Sequence, residues 1–451
     1  MTDTQAIRDL ANKHLWMPIR SWTDMGERGE PIVIDRADGI RVVDTDGHEW
    51  IDVNGGYSSV SAGYGHIEIA EAMRDQMKQL SYWPEGTTTP PLAQLVRKLA
   101  ELAPGDLERV WPVSGGSEAN ETALKIARGY HRRHGDVGRY KVISLKGTYH
   151  GGTGVTMWLG RPAGITLEDY EPEYPGLVYA PLPNSYRCER GGENASDCAV
   201  RCIKALEDII LFQGPDTIVA IIAETVCSSL GAAVPGDEYW PMLRQICDKY
   251  GILLIDDEVV CGFGRTGKMF GVEHWDVVPD IMTVAKGLSS SYLPVGATIT
   301  SGDVADAFVG EGNAFKQALT YGGHPVSAVV ALKNIEIIET RGMVENSAKM
   351  GEYFLGQLQE LKEKHSIVGD VRGLGLLMGI ELVADRETKE RFPDSLRIGE
   401  RLVEKFRSHG LLLRTMGTII QLGPPLLITQ NDVDEIVRGL DAAIGEIETE
   451  L

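Results

Sequence analysis

The alternation of short β-branched runs with longer segments of helical period constrains this chain more than any other feature. Residues 141–145, 218–222, 252–255 and 281–284 are almost wholly apolar, the pattern of strands covered on both faces. Between them lie amphipathic stretches, of which 117–134 is the clearest. Ala119, Ala123, Ile126, Ala127 and Tyr130 form one stripe, Glu118 and Glu121 lie in the first turn, and Arg132, Arg133 and Gly135 close it. Strands and helices in alternation imply a mostly parallel α/β sheet, placed at 61–334. The flanks differ. Two strand-rich stretches, 371–383 and 411–428, alternate with helices at 395–408 and 429–447, and a hairpin is expected at 40–43 and 49–53 across Thr45-Asp46-Gly47. The expected fold is α/β: a large domain, 61–334, beside a smaller α+β domain built from 335–451 and the N-terminal segment 1–60.

Composition removes several partners. With 44 Lys+Arg against 65 Asp+Glu the formal charge is −21, so nucleic acid and anionic membrane surfaces are not expected to bind. No apolar run approaches the roughly 18 residues of a membrane span, and residues 1–10 carry acids where a signal peptide would be apolar. A cytoplasmic protein with reduced thiols is expected. Cys188, Cys198 and Cys202 are the clustered cysteines among six; no CxxC or His pair completes a four-ligand set, so no metal is expected there.

The glycines of Gly262-Phe263-Gly264-Arg265-Thr266-Gly267 fit the dinucleotide pattern, but Asp256 to Cys261 separate them from the strand they should end. More telling are Asp256, Asp257 and Glu258 at the carboxyl end of an apolar strand, where ligands collect in open α/β sheets. One or two of the three are expected to be solvated. Lys286 occupies the equivalent place after the next strand, either as a solvated cap or as a partly buried amine suited to Schiff-base chemistry. Ser114-Gly115-Gly116-Ser117 opens the clearest helix, so free N–H groups and the positive helix end meet where an anion can sit. A phosphate cup, an acid and a lysine on separate strand ends meet the needs of pyridoxal 5'-phosphate: an anchor, a partner for the pyridine nitrogen and an imine-forming amine.

These segments resemble the class III pyridoxal-phosphate aminotransferases. The resemblance rests on Ser-Gly-Gly-Ser-Glu-Ala-Asn at 114–120, Thr148-Tyr149-His150-Gly151, Ile255 to Val259 with the 262–267 glycines, Ala285-Lys286-Gly287 and Thr320-Tyr321-Gly322-Gly323-His324-Pro325. It runs in order from Trp16-Met17-Pro18 to Pro424-Pro425. It implies fold type I with a seven-stranded sheet, and a homodimer with shared active sites, which can pair into a tetramer. It further implies that Lys286 forms the Schiff base and moves the substrate proton, and that Asp257 keeps the pyridine nitrogen protonated. Tyr149 and Val259 would cover the two ring faces, Gly115, Gly116 and Ser117 would hold the phosphate, and Thr320 would reach the neighbouring subunit's phosphate. His150 and Glu224 match positions lining the site, a structural role being the alternative.

Departures from the family pattern narrow the substrate. Thr225 and Ser229 stand where many relatives have Pro and Glu, and Gln421 replaces the Arg of the ornithine and γ-aminobutyrate branch. Gly410-Leu411-Leu412-Leu413-Arg414 is similar to the ω-amino acid and amine:pyruvate branch, where the Arg pairs with the substrate carboxylate or swings aside; a surface strand residue is the alternative. Tyr57-Ser58-Ser59 gives a smaller, more polar wall than the bulky pair of amine-specific relatives, and Ser185-Tyr186-Arg187-Cys188 is similar to taurine- and β-alanine-type relatives. The resemblance thus implies a ping-pong aminotransferase, with a short ω- or β-amino acid or an amine as donor and pyruvate as acceptor. Aminomutase, decarboxylase or epimerase chemistry on the same fold is the alternative, and a NAD-dependent oxidoreductase a more distant one.

Overall fold

A computed structural model describes residues 3–16, 31–162 and 167–451. Met17 and Pro18 of the first resembling segment lie outside the described residues. At the centre is a seven-stranded sheet in the order Leu107–Val113, Gly296–Ser301, Ile281–Val284, Leu253–Asp257, Ile218–Glu224, Lys141–Leu145, Leu177–Ala180. Gly296–Ser301 runs antiparallel to both neighbours, and the pairs from Ile281–Val284 outward to Leu177–Ala180 are all parallel.

Alternation along the strands divides the core. Ile143 and Ile221 face the helices Ala195–Gln213 and Tyr239–Tyr250, while Val142, Ala220 and Ile222 face Gly116–Arg133. All seven residues of Ile218–Glu224 are therefore buried, which is why the strand reads as a continuous apolar run.

Two smaller sheets complete the fold. One joins Ile34–Asp38, Arg41–Asp44 and Glu49–Asp52 to Leu411–Leu412, with Leu411 paired in parallel to Ile51. Both chain ends thus meet in one sheet. The other contains Val368–Leu374, Leu377–Leu382, Ile419–Leu422 and Arg414–Met416. The expected strand-rich stretches 371–383 and 411–428 are accordingly broken by turns at Gly375 and Gly417, both at positive φ. Helix Met343–Lys364 packs against the first of these strands, and Gln430–Glu450 is closed by a capping box between Thr429 and Asp432. The large-domain limit expected at residue 334 falls inside helix Pro325–Thr340, where Asn334 donates to the carbonyls of Gly287 (2.8 Å) and Leu288 (3.0 Å).

The 262–267 glycines form a buried junction between these units. A Cβ on Gly375 would lie 2.2 Å from the Thr266 carbonyl carbon, and one on Gly267 would lie 3.0 Å from Ala348. Arg265, fully buried there, donates to the carbonyls of Leu376 (3.1 Å) and Pro424 (2.5 Å), and burial depresses its guanidinium to about 10. Among the described residues no helix is long and apolar enough to cross a membrane.

Candidate active site

Three adjacent strands deliver three ionisable groups to one sheet edge. Register pairs Glu224 with Asp257 and Asp257 with Thr283, and Lys286 follows the end of the next strand, Ile281–Val284. Lys286 adopts φ 41, in the left-handed region that a lysine enters only when its surroundings impose it. They do: Ser289 N donates to its carbonyl at 3.1 Å, Asn334 holds the next two carbonyls, and a Cβ on Gly287 would meet Ser61 Oγ at 2.9 Å. The side chain keeps some exposure, yet burial, and then the charge of Arg414, depress the amine to about 8.

Asp257 is buried and held from three sides. Its Oδ2 accepts from Asn120 Nδ2 at 2.7 Å and shares a 2.7 Å hydrogen bond with His150 Nδ1; its Oδ1 accepts from Val259 N at 3.0 Å. Asn120 is itself fixed, because Thr283 donates to its Oδ1 at 2.7 Å and it donates to the His150 carbonyl at 2.8 Å. His150 Nε2 is buried without a partner among the described residues. Glu224, also buried, accepts from Tyr149 N (3.0 Å), Ser228 N (3.0 Å) and Ser228 Oγ (2.7 Å), and burial raises its carboxyl above the usual range.

Helix Gly116–Arg133 begins without a side-chain cap. Among the described residues a Cβ on Gly115 would meet nothing within 4 Å, which leaves the helix N-terminus open towards them, while one on Gly116 would strike Val259 Cγ1 at 2.9 Å. Val259 therefore sits directly beside the cup. Ser117 Oγ accepts from Gly152 N at 3.1 Å, which ties the Tyr149-His150 turn to the same helix end.

Arg414 lies over the Tyr57 ring, 4.3 Å from its centroid, and its Nε is buried without a partner. It is no ordinary surface residue: burial lowers its pKa, and its charge acts on Lys286. Tyr57 and Tyr149 are 58% and 43% exposed. Of the expected wall, Ser58 is buried, packed so tightly that a Cβ on Gly423 would come within 2.4 Å of its Oγ, while Tyr57 is exposed and Ser59 half-buried. Thr320 is exposed, its carbonyl accepting from Tyr82 OH at 3.1 Å.

These groups fit pyridoxal phosphate. The open helix end suits a phosphate, Asp257 is a buried acid with its donors in place, and Lys286 is an amine brought towards neutral pH. The aminotransferase class-III family model matches residues 24–444.

The chain is a class III aminotransferase. Enzymes of this class depend on pyridoxal phosphate. The chain is 38% identical to a taurine–pyruvate aminotransferase of Bilophila wadsworthia, covering 97% of each chain. It is 35% identical to a putrescine–pyruvate aminotransferase of Pseudomonas aeruginosa, covering 96% of this chain and 94% of that one. Among solved structures, an (S)-enantioselective omega-transaminase from Thermomicrobium roseum superposes with a TM-score of 0.94 at 36% identity and 99% coverage of both chains. A PLP-bound amine transaminase from an uncultivated Pseudomonas species gives a TM-score of 0.91 at 36% identity, covering 96% and 98%.

In this aminotransferase none of the three consecutive acids is solvated. Asp256 and Glu258 are fully buried, and Thr225 Oγ1 lies 2.8 Å from Asp256 Oδ1 and 2.9 Å from Glu258 Oε1. Sequence reasoning missed Asn120 and Thr283 as parts of the site. Asn120 is in the quoted helix-start motif, and a threonine inside the apolar run 281–284 is a buried polar group that needs a partner.

Proposed function

We propose that this aminotransferase moves an amino group from a short ω- or β-amino acid, such as β-alanine or taurine, or from a diamine, to pyruvate. The observation that carries the reading is Arg414: a half-buried guanidinium whose charge acts on the reacting amine, lying over the Tyr57 ring and with its Nε unpartnered among the described residues. A planar cation in that position suits the carboxylate or sulfonate of a donor in one half-reaction and the carboxylate of a keto acid in the other. The taurine–pyruvate and putrescine–pyruvate relatives support the same range of donors.

When bound, pyridoxal phosphate supplies the aldehyde that takes up the amino group and a cationic ring that stabilises negative charge at the substrate carbon. Lys286, poised near pH 8, accepts the proton from the substrate carbon and returns it to the acceptor. Asp257 keeps the pyridine nitrogen protonated, because a carboxylate in hydrogen-bond reach favours the cation. Asn120 and His150 orient that carboxylate, and Glu224 anchors the backbone of Tyr149. Gly115, Gly116 and Ser117 would hold the phosphate, and Tyr149 and Val259 would cover the ring. Thr320 serves the partner's phosphate in a cytoplasmic homodimer, a role its exposure favours. We place the large-domain boundary at Arg341-Gly342, between the helices Pro325–Thr340 and Met343–Lys364.

The test is a donor screen against pyruvate and 2-oxoglutarate with purified enzyme. Strict dependence on a keto acid, with β-alanine or taurine well ahead of phenylethylamine, is expected. Equal turnover of phenylethylamine and β-alanine sinks the donor assignment, and product formation without any keto acid favours aminomutase, decarboxylase or epimerase chemistry.

A further inference from the structure

We propose that Cys188, Cys198 and Cys202 form a site for one thiophilic d10 cation, with zinc(II) as the probe. Their three Sγ atoms lie within 4.8 Å of one another. Sulfurs around a tetrahedral zinc, each at about 2.3 Å, sit about 3.8 Å apart, so closure asks for about 1 Å of movement per pair at most. The sequence argued against a metal because no familiar spacing is present. The fold supplies convergence instead, bringing a loop cysteine to a pair one turn apart on helix Ala195–Gln213.

The loop is built to hold that geometry. After Cys188 the chain turns back, with Gly191 N donating to the Cys188 carbonyl at 3.0 Å and Gly191 at φ +70. A Cβ on Gly192 would lie 2.5 Å from Cys198 Cα, so only glycine lets the loop close on the helix. Cys198 and Cys202 are buried, whereas Cys188 is half-buried and leaves room for water as a fourth ligand. Binding is Zn²⁺ plus three thiols, giving a trithiolate with one water and releasing three protons.

The site also has something to stabilise. Arg187, next to Cys188, pairs with Glu381 and donates to the Lys389 carbonyl at 2.9 Å, while Lys389 Nζ donates to the Tyr186 carbonyl at 2.8 Å. A metal on Cys188 pins this clasp between the large sheet and the C-terminal hairpin.

The experiment uses reduced holoenzyme, stripped with chelator and titrated with zinc chloride. One zinc per chain by elemental analysis, close to three protons released per zinc and a raised Tm are expected. Cobalt(II) should give an intense thiolate-to-metal absorption. Cys188→Ser, at a half-buried position, should keep aminotransferase activity but lose that band and weaken zinc binding by more than about tenfold. Cys202→Ser should do the same, and if it fails to fold Cys188→Ser alone decides. Substoichiometric zinc, binding untouched by Cys188→Ser, or a Cys188–Cys198 disulfide in protein isolated without reductant overturns the proposal.

Discussion

Replacing Lys286 by Met should abolish transamination and, in cofactor-free enzyme, make the fold more stable at neutral pH. The amine titrates near 8 in the folded chain against an ordinary 10.5. A depressed lysine costs stability wherever the unfolded chain holds the proton more tightly, and the cost disappears as pH rises through the unfolded value. With about 1.4 kcal/mol per pKa unit, the penalty is roughly 3 kcal/mol at pH 7 and about 1.4 kcal/mol at pH 9.5. Because the side chain is partly exposed, solvation trims both figures, to about 2 kcal/mol at pH 7 and about 1.3 kcal/mol at pH 9.5. Denaturant titration of both cofactor-free proteins at pH 7 and pH 9.5 measures it, and the pH-independent difference between Lys and Met cancels between the two conditions. A Lys286→Met protein no more stable than the parent at pH 7, or a gap of equal size at both pH values, refutes the reasoning.

Other outcomes follow from the same geometry. Arg414→Gln should lower kcat/KM for β-alanine or taurine by about ten- to a hundredfold, the worth of a charge-assisted hydrogen bond, and for butylamine by less than about threefold; steady-state kinetics on both donors checks this. Asn120→Ala leaves the Thr283 hydroxyl without its acceptor and Asp257 Oδ2 with His150 as its one remaining donor among the described residues, so kcat should fall by about ten- to a hundredfold while the cofactor absorption band persists. Gly375→Ala combines positive φ with a Cβ 2.2 Å from Thr266, and should cost about 2–4 kcal/mol in denaturant unfolding.

Burial explains what was legible in the sequence and what was not. Strands 141–145 and 281–284 were readable end to end because each is buried among apolar neighbours. Ile218–Glu224 and Leu253–Asp257 extend beyond their apolar runs, since their last residues are acids buried through hydrogen bonds that hydropathy does not register. Lys286 and Asp257 were visible as polar residues at strand ends; Asn120 was not, because its role depends on Thr283, far away in sequence and adjacent only through the sheet. The 262–267 glycines mislead for the opposite reason. Their spacing imitates a phosphate loop, while their freedom from side chains serves a close approach to Gly375 and Ala348.

The run Asp256-Asp257-Glu258 shows how strand alternation gives like residues unlike roles. Successive side chains point to opposite sides, so Asp257 reaches Asn120 and His150 while Asp256 and Glu258 converge on Thr225. One hydroxyl carries one proton and cannot donate to both, so one of those short contacts requires a protonated carboxyl. Burial, then the neighbouring Glu258, raises Asp256 well above the usual range, and burial raises Glu258 as well, which favours holding that proton on the pair. Three ionised acids packed together would repel one another and would draw the proton of Lys286 back onto its amine. One proton held by the pair removes one of the three charges and leaves Asp257 as the carboxylate whose surrounding donors are arranged for charge, opposite an amine kept low enough in pKa to accept a proton.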